Sequence, residues 1–96
     1  MLTSKQRAYL RALAGSENAI MQVGKGGISD NLIQTTKDAL EARELIKMSV
    51  LETSASPVRE IAETLAAAAG AEIVTVIGRK FVLYRRREKN PGIVLP

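Results

Sequence analysis

Three glycines in four positions, Gly24-Lys25-Gly26-Gly27, constrain this chain more than any other feature, because they separate an apolar run from a helical repeat. Glycine reaches backbone conformations that are costly for other residues, and without a side chain it lets a ligand approach its amides closely. Before the loop, Asn18 to Val23 includes Ala19-Ile20-Met21-Gln22-Val23 and predicts a short strand. After it, Ser29 is placed as a helix N-cap, and Leu32, Ile33, Thr36, Ala39 and Leu40 recur at helical spacing to about Ala42. A strand running into a glycine turn that opens a helix is the local plan of an α/β domain. Such a turn serves chain reversal alone in many α/β domains; here a lysine lies within it, and its amides stand at a helix N-terminus, where free N–H groups and the helix dipole favour an anion.

The rest of the chain extends the plan. Thr3 as N-cap with Gln6 in capping-box position predicts a helix from Ser4 to Ala14, stopped at Gly15. Leu2, Gln6, Tyr9, Leu10 and Leu13 share one side of it, with Arg7 and Arg11 on another. Glu44 to Glu52 alternates as a strand, with Ile46, Met48 and Val50 on one face and Leu45, Lys47, Ser49 and Leu51 on the other. The loop Thr53-Ser54-Ala55-Ser56-Pro57 places Ser56 as N-cap and Pro57 as first residue of a third helix, striped by Val58, Ile61, Ala62 and Leu65 and closed by a left-handed Gly70. Ala71 to Ile77 and Lys80 to Arg85 form a hairpin about the two-residue turn Gly78-Arg79. The order α-β-α-β-α-β-β predicts an α/β two-layer sandwich with a mixed four-stranded sheet, parallel within each strand-helix-strand unit and antiparallel in the hairpin. At 96 residues the chain has room for one domain, expected over 1–87, with 88–96 a flexible tail.

Composition narrows the chemistry. There is no histidine and no cysteine, which removes imidazole acid-base catalysis, thiol nucleophiles, disulfides and Cys/His zinc sites. The carboxylates, such as Glu41 with Glu44 or Glu60 with Glu63, have no such partner and read as surface charge. The expectation is a protein that is not an enzyme, with no cofactor, no metal and no small-molecule substrate. The N-terminus Met1-Leu2-Thr3-Ser4-Lys5 has no signal-peptide run and no segment is long enough to span a bilayer, so no membrane association and a cytoplasmic location are expected.

A net charge of +4 favours polyanions, and its placement sharpens the point. Arg79, Lys80, Arg85, Arg86 and Arg87 form one group at the hairpin turn and the end of the last strand; Lys5, Arg7 and Arg11 form another on the first helix. Three consecutive arginines exceed what protecting a sheet edge requires, and arginine's fork of donors matches phosphate. A nucleotide P-loop is excluded, since Ala19 stands where that pattern needs glycine and Gly26 where it needs Ser or Thr. The only aromatics are Tyr9, Phe81 and Tyr84, and the last two fall on opposite faces of one strand, so an aromatic base-stacking platform is not expected. Gly24, Lys25, Gly26, Gly27 and Ser29, with Arg7, Arg11, Arg79, Lys80, Arg85, Arg86 and Arg87, are the candidate phosphate-backbone contacts.

Beyond these readings, the chain resembles a known family. Leu2-Thr3-Ser4-Lys5-Gln6-Arg7 with Tyr9-Leu10-Arg11, then Val23-Gly24-Lys25-Gly26-Gly27-Ile28-Ser29, Glu44-Leu45-Ile46-Lys47-Met48, and Ile77-Gly78-Arg79 to Leu83-Tyr84-Arg85 follow the CRM domain, named for chloroplast RNA splicing and ribosome maturation, to about Arg86. The resemblance implies a fold similar to the C-terminal domain of translation initiation factor 3, with Gly24 and Gly27 as the paired glycines of a KH-like GxxG loop. It also implies RNA binding and, as in stand-alone bacterial YhbY-like members, ribosomal RNA in precursors of the large ribosomal subunit as the partner of a monomer that assists ribosome assembly. Ile28-Ser29 departs conservatively from the family's usual Leu-Thr. The competing reading is an adapter docking on a ribosomal protein or assembly factor by the sheet face that carries Leu45 and Leu51.

Overall fold

The computed structural model describes residues 2–24, 26–51, 56–87 and 91–96. Lys25, the loop residues 52–55 and the tail residues 88–90 lie outside the described residues. The chain folds as α1 (Ser4–Ala14), β1 (Met21–Val23), α2 (Asp30–Arg43), β2 (Leu45–Val50), α3 (Val58–Ala69), β3 (Glu72–Ile77) and β4 (Lys80–Tyr84). The four strands form one mixed sheet in the order β1-β2-β4-β3.

Each helix begins and ends for a local reason. The Thr3 and Gln6 side chains close a reciprocal capping box on α1. Ser29 Oγ accepts from the Leu32 amide at 3.1 Å at the start of α2. At α3 the cap is Pro57, extended at ψ 148°, with no side-chain bond, one residue later than the serine cap expected. Proline's fixed φ suits that cap, and its missing N–H costs nothing where no intrahelical acceptor exists. Gly70 ends α3 in the left-handed conformation at φ 67°, as its position predicts.

The sheet departs from the expected pairing in one respect. β1 and β2 are parallel, but β2 and β3 are not neighbours, because β4 lies between them and runs antiparallel to both. β4 is apolar on both faces: Phe81 and Leu83 point one way, Val82 and Tyr84 the other, and all four are buried. Such a strand gains most from a central position, and the tight Gly78-Arg79 turn leaves it beside β3. β3, with a register shift between Ile73 and Thr75, is left at the edge.

α2 and α3 cover one face of the sheet, and the main core fills the space between: Val23, Leu40, Ile46, Met48, Val50, Ile61, Leu65, Phe81 and Leu83. Burying each such side chain is worth about 1.5–3 kcal/mol. α1 covers half of the reverse face, where Leu10 and Ala14 meet Leu45, Val74, Val82 and Tyr84. The seam of α1 is therefore Leu10 and Ala14, while Tyr9 and Leu13 of the expected stripe are exposed. Alanine at position 14 lets the helix end approach the sheet, and Lys47 fastens it there, its Nζ donating to the carbonyls of Ala14 at 3.4 Å and Glu17 at 3.3 Å. Leu45, expected on an uncovered face, lies beneath α1.

Residues 91–96, assigned from sequence to a flexible tail, lie along this same face. Ile93 and Leu95 pack on the α1 cluster, and Gln6 Nε2 donates to the Pro96 carbonyl at 3.3 Å. The anchor is Glu44, read from sequence as surface charge but only 1% exposed. Its carboxylate accepts from the amides of Gly92, Ile93 and Arg87, the latter two at 3.2 and 3.4 Å. A Cβ on Gly92 would stand 2.9 Å from Arg87 Nη2, so a larger residue here would require the Arg87 guanidinium to shift.

Candidate nucleic-acid interface

The parallel pair β1–β2 brings the end of β1, and so the start of the glycine loop, beside the end of β2, with Leu51 N donating to Val23 O at 3.0 Å. β4 runs the opposite way, so its first residue, Lys80, and the hairpin turn reach the same end. Arg79 locks the turn in place. Its carbonyl accepts from Val50 N at 2.7 Å, and its guanidinium donates to Val50 O (Nε, 3.0 Å) and to Leu51 O. The glycine loop and the Gly78-Arg79-Lys80 turn therefore share one end of the sheet.

Within the loop, Gly27 N donates to Gly24 O at 3.0 Å, closing a turn that holds Gly27 at φ 70°. The amides of Gly26 and Ile28, and those of Asp30 and Asn31 in the first turn of α2, find no acceptor among the described residues. A Cβ at Gly26 or Gly27 would touch nothing within 4 Å, so this surface is open to a ligand. Ser29 spends its hydroxyl on capping α2, and Asp30 sets one negative charge beside the loop. What the loop offers is main-chain donors at a positive helix end, with Lys80 across the sheet end as the nearby cation from the hairpin.

The other cations separate into two sets. Arg7 Nη1 donates to the carbonyls of Ile73 and Val74 on the edge strand. Arg85 donates to Ala69 O at the end of α3 (3.0 Å) and pairs with Glu41 at 3.2 Å, a half-exposed contact of small energy. Arg87 donates to Ala42 O at 3.3 Å, and its Nε lies 3.5 Å from Glu44, an ion pair too long for a hydrogen bond. These guanidiniums are absorbed by the fold, as cations at helix C-termini and strand edges commonly are. The side chains of Lys80, Arg11 and Arg86 make no hydrogen bond or ion pair among the described residues, and all three residues are exposed.

Position divides them further. Arg85 to Arg87 follow β4 at the end of the sheet opposite the loop, about 17 Å from Lys80 at about 3.4 Å per strand residue. Arg7 and Arg11 belong to α1, on the reverse face. The structure joins Gly24, Gly26, Gly27, Ser29, Arg79 and Lys80 at one end and sets the remaining candidates apart. Missed from sequence was the division of the arginines into clips and free charges, for which adjacency in sequence carries no signal. Among the described residues no cluster of three or more Asp or Glu could hold a metal ion.

The chain is similar to several known proteins. The chain is 45% identical over 96 residues, the full length of both, to a Bacillus subtilis protein named probable RNA-binding protein YqeI. It is 30% identical over 88 residues to a Haemophilus influenzae protein named RNA-binding protein, covering 92% of this chain and 89% of that one. The solution structure of a Staphylococcus aureus protein, whose description proposes RNA binding, superposes with a TM-score of 0.84 at 49% identity over the whole of both chains. A family model described as the CRS1 / YhbY (CRM) domain matches residues 2–85, from the capping box of α1 to the end of β4, and the chain belongs to that family.

Proposed function

We propose that this protein binds structured RNA by its phosphate backbone at the end of the sheet formed by the glycine loop and the β3–β4 turn. The observation that carries the reading is the junction itself: amides at the start of α2 with no acceptor among the described residues, a loop open to close approach, and Lys80 held at the same end through the pinning of Arg79. Lys25, at the centre of the loop sequence, adds a positive charge to that grip. The names of the relatives support RNA as the ligand. The finer reading proposed is that the RNA is ribosomal, in precursors of the large ribosomal subunit, and that the protein assists their assembly as a cytoplasmic monomer. Arg11 and Arg86 then extend the charged surface for a large ligand.

Fluorescence anisotropy with fragments of large-subunit ribosomal RNA tests this directly. If about four to six phosphates are neutralised, the logarithm of affinity falls against the logarithm of salt with a slope between about −3 and −5. Lys25→Glu and Lys80→Glu should each weaken binding at least about tenfold. Affinity indifferent to salt and to both substitutions would remove RNA from this end of the molecule. The adapter reading is the weaker, since one of its two residues, Leu45, is buried.

A further inference from the structure

Among the described residues, α1 leaves part of the reverse sheet face uncovered, and the strand register states what stands there. Gln22 of β1 pairs with Ser49 of β2, Ser49 with Lys80 of β4, and Lys80 with Ile77 of β3. The four form one row across the whole sheet. Their immediate neighbours Met21, Val23, Met48, Val50, Phe81 and Val76 all pack under α2 and α3, so by strand alternation the row faces the other way. Leu51 follows Val50 on the side of Ser49. Ile77 is 68% exposed and Leu51 39% exposed, two of the few large apolar side chains the fold leaves in water. The row spans about 14 Å at about 4.8 Å per strand, and its Lys80 belongs to the site already described.

We infer that this row is a second part of the RNA site, accepting unpaired nucleotides next to the backbone held at the loop; the inference rests on the proposed function. The occupant follows from the chemistry of the row. An amide (Gln22) and a hydroxyl (Ser49) can each donate and accept, as base edges require, whereas backbone binding needs donors alone. The aliphatic side chains of Ile77 and Leu51 flank Lys80 and gain by covering a base or a sugar face. A continuous A-form duplex hides its base edges in a groove too narrow for side chains, so such a row is useful only against bulged, looped or terminal nucleotides. The row carries no carboxylate, and Lys80 makes it continuous with the phosphate-binding end.

The experiment compares two RNAs of equal length and phosphate count, a fully paired duplex and the same duplex in which three consecutive base pairs are replaced by mismatches that bulge out as an internal loop. Both are titrated against the full chain and against Gln22→Ala and Ile77→Ser, exposed positions whose folding is checked by thermal melting. The wild-type chain should prefer the bulged RNA by about tenfold. Each variant should lose most of that preference while keeping its affinity for the duplex and its salt dependence. Equal affinity of the wild type for both RNAs, or a preference untouched by both variants, overturns the inference and leaves backbone binding standing. Binding to neither RNA overturns the proposed function, and the inference with it.

Discussion

Glu44 shows how much one residue can decide. It ends α2 at φ 65°, a region in which a non-glycine residue is strained by about 1–3 kcal/mol, and it is the one described non-glycine residue there. The strain persists because the buried carboxylate is matched by three amides and the Arg87 guanidinium. Glu44→Ala removes the acceptor of the three amides and the ion-pair partner of Arg87, and denaturant unfolding should show a loss of about 2–4 kcal/mol, with increased protease sensitivity in residues 91–96. Tyr84, beside it, has a buried hydroxyl without a hydrogen-bond partner among the described residues. Burial, and then the negative charge of Glu44, push its phenol above the usual value of 10.0, against a smaller opposing pull from Arg86. Because the folded form holds this proton more tightly than the unfolded one, its contribution to stability is intact below about pH 10 and is lost as pH rises beyond it. Tyr84→Phe should leave neutral-pH stability within about 1 kcal/mol of wild type and reduce the alkaline loss in melting curves taken between about pH 9 and 11.

Among the elements, the glycine loop can be divided into geometry and grip. Gly27 lies at φ 70°, so Gly27→Ala should cost about 1 kcal/mol in thermal unfolding, although its Cβ would meet no neighbour. Gly26 has open space and no positive φ; Gly26→Asp should therefore melt within about 0.5 kcal/mol of wild type, while its charge beside a bound phosphate lowers RNA affinity at least about tenfold. A Gly26→Asp protein that binds RNA normally would show that the loop points away from the ligand. The loop itself was legible from its residues, as were the capping box of α1 and the glycine cap of α3, since each is decided within a few residues of chain. The α1 seam was not. Helical spacing sets Leu13, three residues on, nearly as close to Leu10 as Ala14, four residues on, and the choice between them depends on which side meets the sheet.

At the scale of the whole molecule the cations form a supporting set and a binding set, and salt dependence separates them. Arg85→Gln should reduce stability by about 0.5–1.5 kcal/mol, through the lost bond to Ala69 O, and leave the salt slope of RNA binding unchanged. Lys80→Gln should leave stability within about 0.5 kcal/mol and make the slope shallower by nearly one unit. By itself the sequence determined the element order, the strand-loop-helix unit around Gly24 to Gly27, the alternation of β2 and the cationic character of the chain, because each follows from propensity, periodicity or charge over neighbouring residues. Only the tertiary structure decided that β4 inserts between β2 and β3, that Glu44 is buried beneath a C-terminal strap, and that Arg79 holds the hairpin against β2 beside the loop. Those outcomes depend on which surfaces meet across about 30 to 50 residues of chain, where the competition among apolar faces for burial, rather than any local preference, selects the arrangement.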